Sequence, residues 1–305
     1  MTLAFRVEAT KESPVWCFAS RTDSDGTRTV YAGTGPNGVV LQSTDLETWS
    51  TFMTVDDCHV RSLAIWANAL FVGTQPEGKV YVHNFTSGAE YLFVETEGKA
   101  VTALAEYGGK LFAGTAPVGI IYSFDGILWK EEYRPYGRGI TSMVASSGLF
   151  VSSLGAEGPV VYDGKKWSAL PTTAVNGQVE TVASNRIATG GIHGATGLEK
   201  VDPTTLPSDQ DVTGQEIVKA RPVSPQFNIV ASVVTPGGPI FGGLDDGVIM
   251  AAGSDTMSKV CDVGVPVTGL LYVSKTAMMI ASGGTMFLAT TPEISDTTTT
   301  SKGTT

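Results

Sequence analysis

The sequence predicts an all-β fold, a seven-bladed β-propeller built from four-stranded blades of about 40 residues each. Three observations carry that prediction. The first is a strong repeat: Val30-Tyr31-Ala32-Gly33-Thr34, Leu70-Phe71-Val72-Gly73-Thr74 and Leu111-Phe112-Ala113-Gly114-Thr115 are copies of one apolar run. Each copy enters a Pro-x-Gly turn, at Pro36 and Gly38, Pro76 and Gly78, and Pro117 and Gly119, and a second apolar run follows. The second observation is that weaker copies continue the series: Phe150-Val151-Ser152, Ile187-Ala188-Thr189, Ile240-Phe241-Gly242 and Ile280-Ala281-Ser282. Their small residues fall at 33, 73, 114, 152, 189, 242 and 282, with spacings of 40, 41, 38, 37, 53 and 40. Strand-length apolar runs at that period fit one blade per repeat, whereas helical repeats would need long stripes of period 3.6.

The third observation is an element upstream of the anchors: Val60-Arg61-Ser62-Leu63, Val101-Thr102-Ala103-Leu104, Ile140-Thr141-Ser142-Met143, Val179-Glu180-Thr181-Val182 and Val267-Thr268-Gly269-Leu270. It reads as the innermost strand of each blade, where small residues are needed and a polar position can face a central channel. Arg61, Thr102, Thr141, Glu180 and Thr268 hold equivalent places and form a candidate channel ring. The last repeat supplies only three strands, at 267–273, 277–281 and 286–290. The N-terminal segment alternates at Leu3, Phe5 and Val7, and is predicted to close that blade as its outer strand, because closure protects otherwise unpaired edges. Residues 1–292 are thus read as a single propeller, and residues 293–305 as a disordered Thr-rich tail with nothing to bury.

Composition narrows the function classes. Hydrophobic residues make up 42% of the chain and glycine contributes 36 residues, enough for a folded core with many turns. Only 16% of residues are charged, so the surface depends on Thr, Ser, Asn and Gly for solvation. The net charge of -10, with no Lys/Arg run, gives no electrostatic drive toward nucleic acid or anionic membranes. Arg6 and Glu8 interrupt the N-terminal segment, which leaves no signal peptide or transmembrane segment in the sequence, and no membrane insertion is expected. Cys17, Cys58 and Cys261 are widely spaced and odd in number, and are read as buried small hydrophobes.

Three hairpins carry a spaced Asp and Trp: Ser43-Thr44-Asp45-Leu46-Glu47-Thr48-Trp49, Ser123-Phe124-Asp125-Gly126-Ile127-Leu128-Trp129 and Tyr162-Asp163-Gly164-Lys165-Lys166-Trp167. This pattern resembles the Asp-box hairpin of sialidase-like and YVTN-like β-propeller repeat proteins, in degenerate form. Glu47 and Ile127 stand in place of the family glycine, and the third copy lacks the serine. The resemblance implies that Asp45, Asp125 and Asp163 bind backbone N–H groups of their turns and that Trp49, Trp129 and Trp167 pack between strands. It does not bring the sialidase catalytic set. A sialidase needs an arginine cluster, a Tyr–Glu nucleophile pair and an acid, and here Arg6 falls on the outer strand while Arg61 is the only arginine of the ring.

The remaining chemistry-bearing stretches read as connections. Asp56-Asp57-Cys58-His59 is a polar connector, since consecutive residues of an extended chain point to opposite sides and cannot share one ion. Asp23-Ser24-Asp25-Gly26 is a hairpin turn, and the Gly190–Gly197 stretch around His193 is a long turn with no helix after it. No catalytic residue, cofactor or metal is expected. What the repeat does create is a platform of equivalent turns, and Pro36, Asn37, Pro76, Glu77, Pro117, Val118, Glu157, Asp245 and Asp246 are its candidate partner-facing residues. The long 53-residue spacing adds a loop at 202–211.

The expected function is a non-catalytic interaction or structural propeller with protein partners. The low-charge surface without an export signal points to a virion component, a bacteriophage tail or capsid accessory protein. A cytoplasmic interaction scaffold is one alternative. A glycan-binding or glycan-active propeller is the other, with Trp66, Tyr107, Tyr133 and Tyr136 as candidate stacking residues.

Overall fold

The computed structural model describes residues 2–8, 14–134, 139–145, 148–153, 160–169, 172–175, 178–181, 229–234, 240–244, 248–252, 257–274 and 277–290. Strand β1 (Thr2–Glu8) leads the chain. The first sheet is an antiparallel meander of β2 (Val15–Thr22), β3 (Arg28–Thr34), β4 (Val39–Ser43) and β5 (Ser50–Thr54). The second repeats it with β6 (His59–Trp66), β7 (Ala69–Gln75), β8 (Lys79–Asn84) and β9 (Glu90–Glu95). The third contains β10 (Ala100–Tyr107), β11 (Lys110–Ala116), β12 (Ile121–Phe124) and β13 (Trp129–Tyr133). The fourth contains β14 (Ile140–Ala145), β15 (Leu149–Ser153), β16 (Val160–Tyr162) and β17 (Trp167–Ala169).

After these, β18 (Thr172–Val175) and β19 (Gln178–Thr181) pair as a two-stranded sheet. A further meander follows, of β20 (Ile229–Val234), β21 (Ile240–Leu244), β22 (Val248–Ala252) and β23 (Met257–Asp262). The terminal sheet is different: β24 (Gly269–Ser274), β25 (Ala277–Ser282) and β26 (Thr285–Thr290) take β1 as their fourth strand, with β1 antiparallel to β26. The N-terminal strand therefore pairs where the sequence places it. Among the described residues there are six four-stranded sheets, and β14 lies against β20. Strand β19 covers the repeat element at Val179–Thr181, and the anchor at 187–189 falls outside the described residues, as do the loop at 202–211 and the tail.

The central strands β3, β7 and β11 are buried along almost their whole length, which is why they read as unbroken apolar runs. Both faces of each of the first three sheets are covered by a neighbour. Val40, Met53, Val60 and Leu70 share one cluster between the first and second sheets. Phe71, Val82, Leu111 and Ile120 fill the next, and Phe112, Ile140, Leu149 and Val160 the one between the third and fourth sheets. Val15, Ala32 and Leu41 of the first sheet pack on Met279, Ala281 and Met286 of the terminal sheet. Arg28 reinforces that junction from β3 by donating to the carbonyls of Tyr272, at 2.6 Å, and Val273.

Every meander begins with the same irregularity. The register of β2, β6, β10, β14 and β20 slips after the first or second position, between Val15 and Cys17, Val60 and Ser62, Val101 and Ala103, Ile140 and Ser142, and Ile229 and Ala231. The extra residues of these β-bulges include Trp16, Arg61, Thr102 and Thr141, and a bulge re-aims its side chain out of the regular pleat.

One expectation fails on the cysteines. Cys261 is buried, but Cys58 is exposed, because it lies in the connector before β6 rather than in a strand that a neighbouring sheet covers. Cys17 is half-buried, and its thiol donates to the Val60 carbonyl at 3.7 Å.

Candidate functional site

The glycine-threonine-proline turns form one end of the first three sheets. Gly33, Gly73 and Gly114 are required by close approach: an added Cβ would lie 2.4 Å from Val60, 2.7 Å from Val101 and 2.5 Å from Ile140, each on the next sheet's first strand. The following threonines are buried and tie the turn. Thr34 Oγ1 donates to the Val39 carbonyl at 2.8 Å, Thr74 Oγ1 to the Lys79 carbonyl at 3.1 Å, and Thr115 Oγ1 to the Val118 carbonyl at 2.7 Å. The prolines then follow cis peptide bonds at Gly35-Pro36, Gln75-Pro76 and Ala116-Pro117. Gly38 and Gly78 close their turns at φ of +62° and +70°, a region other residues avoid.

This internal scaffolding leaves only the tips outside. Pro36 and Asn37, Pro76 and Glu77, and Pro117 and Val118 are exposed, while Gly38, Gly78 and Gly119 beside them are buried. Each turn rests on the connector to the next sheet. The Gly38 amide donates to the Cys58 carbonyl at 2.8 Å, and the Thr96 amide donates to the Gly78 carbonyl at 3.0 Å. Asp57 accepts from Thr74 Oγ1 at 2.6 Å and from the Glu77 amide, so Asp56-Asp57-Cys58-His59 serves as a brace for the Pro76 tip. Glu157, Asp245 and Asp246 lie outside the described residues.

Of the candidate ring residues, Arg61, Thr102 and Thr141 lie at the bulges, and Thr268 directly precedes β24. Thr102 and Thr268 use their hydroxyls to join neighbours: Thr102 Oγ1 donates to the Ile140 carbonyl and Thr268 Oγ1 to the Val15 carbonyl, both at 2.5 Å. In the first two sheets that duty passes to the next residue, with Cys17 reaching the Val60 carbonyl and Ser62 Oγ the Val101 carbonyl at 2.7 Å. Thr141 occupies the equivalent bulge of β14, and Glu180 lies in β19 opposite Thr173. Arg61 is the exception: its guanidinium carbon sits 4.2 Å from the ring centroid of Trp16, the bulge residue of β2. Trp16 was missed in the sequence because the repeat element was aligned from Val60 onward, although Val15-Trp16-Cys17 is its first copy.

At the opposite end, the three aspartates hold their turns. Asp45 Oδ1 accepts the amides of Glu47 and Thr48, Asp125 Oδ1 those of Ile127 and Leu128, and Asp163 Oδ1 those of Lys165 and Lys166, all between 2.7 and 3.0 Å. Asp45 gains the hydroxyls of Thr48 and Ser43 in addition, and the Thr48 hydroxyl leads in holding its carboxyl far below the usual carboxylate range. The second sheet has a copy the sequence pattern overlooked: Asn84 Oδ1 accepts the amides of Thr86 and Ser87 at 2.9 and 3.0 Å. An amide oxygen replaces the carboxylate there, and no Trp follows four residues later.

The tryptophans behind these turns are packing residues. Trp129 stacks on Tyr122 with centroids 5.7 Å apart, and Trp167 on Tyr162 and Tyr133 at 4.9 and 5.2 Å. Trp49 packs in the junction of the first and terminal sheets. The aromatics considered as glycan platforms are similarly engaged. Trp66 packs edge-on against Phe71 and Phe124, while Tyr107 contacts Tyr162. Tyr133 is the partner of Trp167, and Tyr136 lies outside the described residues.

No protein-family model matches the chain, and no curated protein matches it. Solved structures do. The extracellular domain of a B. thetaiotaomicron protein described as a hybrid two component system matches 96% of this chain with a TM-score of 0.63 and 14% identity, and this chain spans only 40% of that one. The WD40 beta propeller domain of Doa1 matches with a TM-score of 0.61 and 9% identity, over 95% of this chain and 97% of that one. YCF48 bound to D1 peptide gives 0.60 and 12%, over 94% and 97%. The chain is a β-propeller repeat protein. At these identities the likeness carries the fold alone, and the propeller's chemistry rests on its own residues. No helix among the described residues is long and apolar enough to cross a membrane.

Proposed function

We propose that this propeller is a non-catalytic interaction module that binds a protein or peptide partner across the end carrying the proline turns. The observation that supports this reading most is the turn set itself. Three consecutive sheets present an exposed dipeptide on a buried Gly-Thr base, giving a rigid and repeated surface whose tips differ only in chemistry: Asn37, Glu77 and Val118. Rigid tips lose little conformational entropy on binding, so such a surface suits recognition. A closed ring is part of the same proposal, supported by β1 pairing with β26 and by the packing of the first sheet on the terminal one, and seven blades are proposed on the seven sequence anchors. A propeller neighbour bound to a peptide is in keeping with the reading. The virion setting and the cytoplasmic one rest on composition alone.

A peptide array tests it. Wild-type protein is compared with a Pro76→Lys, Glu77→Lys variant and a Pro117→Glu, Val118→Glu variant, with melting temperature as the folding control. Turn tips tolerate substitution better than cores, so both variants are expected to fold normally and to lose bound peptides. Binding that survives both variants but disappears with Ile127→Glu, Leu128→Glu at the far end overturns the placement. Turnover of a chromogenic glycoside in proportion to protein concentration overturns the non-catalytic reading.

A further inference from the structure

Arg61 does not make the sheet-to-sheet tie that the described ring residues Thr102 and Thr268 make. Thr102 shows what the bulge position does when it is structural, tying one sheet to the next, and Thr268 makes the same tie directly before β24. In the first two sheets Cys17 and Ser62 make that tie instead, which leaves Trp16 and Arg61 without it. Their side chains turn to each other, and His59 meets the same indole edge-on with centroids 6.3 Å apart. Cation–π attraction holds a guanidinium in place without using any of its N–H donors.

Those donors have no partner among the described residues. Among the described residues Arg61 makes no hydrogen bond or ion pair, and Arg61 Nε, Trp16 Nε1 and His59 Nδ1 are buried without hydrogen-bond partners. The titratable group closest in effect, the Cys17 thiol, is pushed up to about 12 by burial and is neutral at pH 7, so it offers the arginine no countercharge. The Asp57 carboxylate is occupied by Thr74 and the Glu77 amide. A half-buried arginine that stays charged and unpaired is costly to the folded state, and the chain has a surplus of acidic residues from which a partner could have come.

We infer that Arg61, backed by Trp16 and flanked by His59, receives a carboxylate of the bound peptide or protein partner. This rests on the interaction reading above and adds the chemistry of the partner. A planar guanidinium matches a carboxylate with two parallel hydrogen bonds, and the bulges of β2 and β6 place it at the same end of the sheets as the proline tips. The carboxylate could be a chain terminus or an Asp or Glu side chain, and the two sources are separable.

The full chain is used to probe an array of short peptides, each present as free acid, as C-terminal amide and with Asp and Glu changed to Asn and Gln. Wild-type protein should retain carboxylate-bearing peptides. Loss on amidation assigns the chain terminus, and loss on the Asn and Gln change assigns the side chain. Arg61→Gln should weaken retained peptides by about tenfold or more, with Arg61→Lys between, since a point charge replaces the fork. The carboxylate-free arm is read on wild-type protein and does not depend on a variant folding. Peptides held equally well without any carboxylate, held equally by Arg61→Gln, or no carboxylate peptide held at all, overturns the inference. If the turn-tip variants still abolish the peptides that Arg61→Gln keeps, the interaction reading stands without Arg61; if they do not, both fall.

Discussion

In the first three sheets the small residue at the crowded crossing lies on the second strand, and in the terminal sheet it lies on the first. Gly33, Gly73 and Gly114 stand opposite Cys17, Ser62 and Ala103. In the terminal sheet Ala281 stands opposite Gly269, so the pair is kept small with the glycine exchanged across it. The contact needs the volume of the pair and is indifferent to which strand carries it. The buried hydroxyl shifts as well. Thr34 serves the carbonyl of Val39 within its own turn, but Ser282 donates back to the Pro266 carbonyl at 2.7 Å. The sheets also differ in how they are assembled: the first three are continuous meanders, while the terminal sheet recruits β1 from the far end of the sequence.

The largest expected effect follows from that recruitment. Deleting residues 1–8 removes the partner of β26 and leaves its backbone groups as an open edge. The melting temperature should fall by roughly 10 °C, corresponding to a few kcal/mol in a chain of this size, with oligomers in size exclusion. A monomer of unchanged melting temperature would mean that the terminal sheet stands without β1, and the contrast with the continuous sheets would be lost.

Legibility followed the same division. Gly-Thr-x-Pro-x-Gly is readable because one strand and its turn carry the whole requirement in adjacent residues, and the three copies stand at equivalent places. The exchange of glycine to Gly269 hides the same requirement, since a motif read along one strand does not register compensation on its partner. The Asn84 turn escaped for a related reason: an amide oxygen accepts the same amides as an aspartate, but the following Trp is absent. Arg61 was readable as a ring position from its alignment with Thr102 and Thr268. Its meeting with Trp16 was not, because it depends on bulges in two neighbouring sheets, and Cys58 escaped because exposure of a connector residue leaves no periodic trace.

Substitution at the crossing sharpens the comparison. A Cβ at Gly73 would lie 2.3 Å from Ser62 Oγ and 2.7 Å from Val101 Cγ1, whereas at Gly269 the nearest atom is the Trp16 carbonyl oxygen at 3.3 Å. Gly73→Val should therefore destabilise by about 3 kcal/mol and Gly269→Ala by about 1 kcal/mol or less, measured by urea denaturation. Adding Val101→Ala should recover part of the loss from Gly73→Val, because the same contact is relieved from the other side. Equal costs at the two glycines would show that the exchange across the pair is not the relevant difference.

The smallest effect concerns the turns at the far end, where the first sheet uses Asp45 and the second uses Asn84. The Asp45 carboxyl is held below its ordinary value, first by the Thr48 hydroxyl and then by the amides of Thr48 and Glu47. Its contribution is fully present above the unfolded carboxyl value of about 3.9 and is lost as pH falls through the folded value. Wild-type melting temperature should decline between about pH 5 and about pH 2, and Asp45→Asn should flatten that decline because the amide still accepts the turn's amides, as Asn84 does, without titrating. Asp125→Asn should flatten it less. Asp125 is lowered chiefly by the amides of Leu128 and Ile127 and has no hydroxyl to match those of Thr48 and Ser43. Superimposable pH profiles for wild type and Asp45→Asn would remove the charge from the argument and leave the turn held by geometry alone.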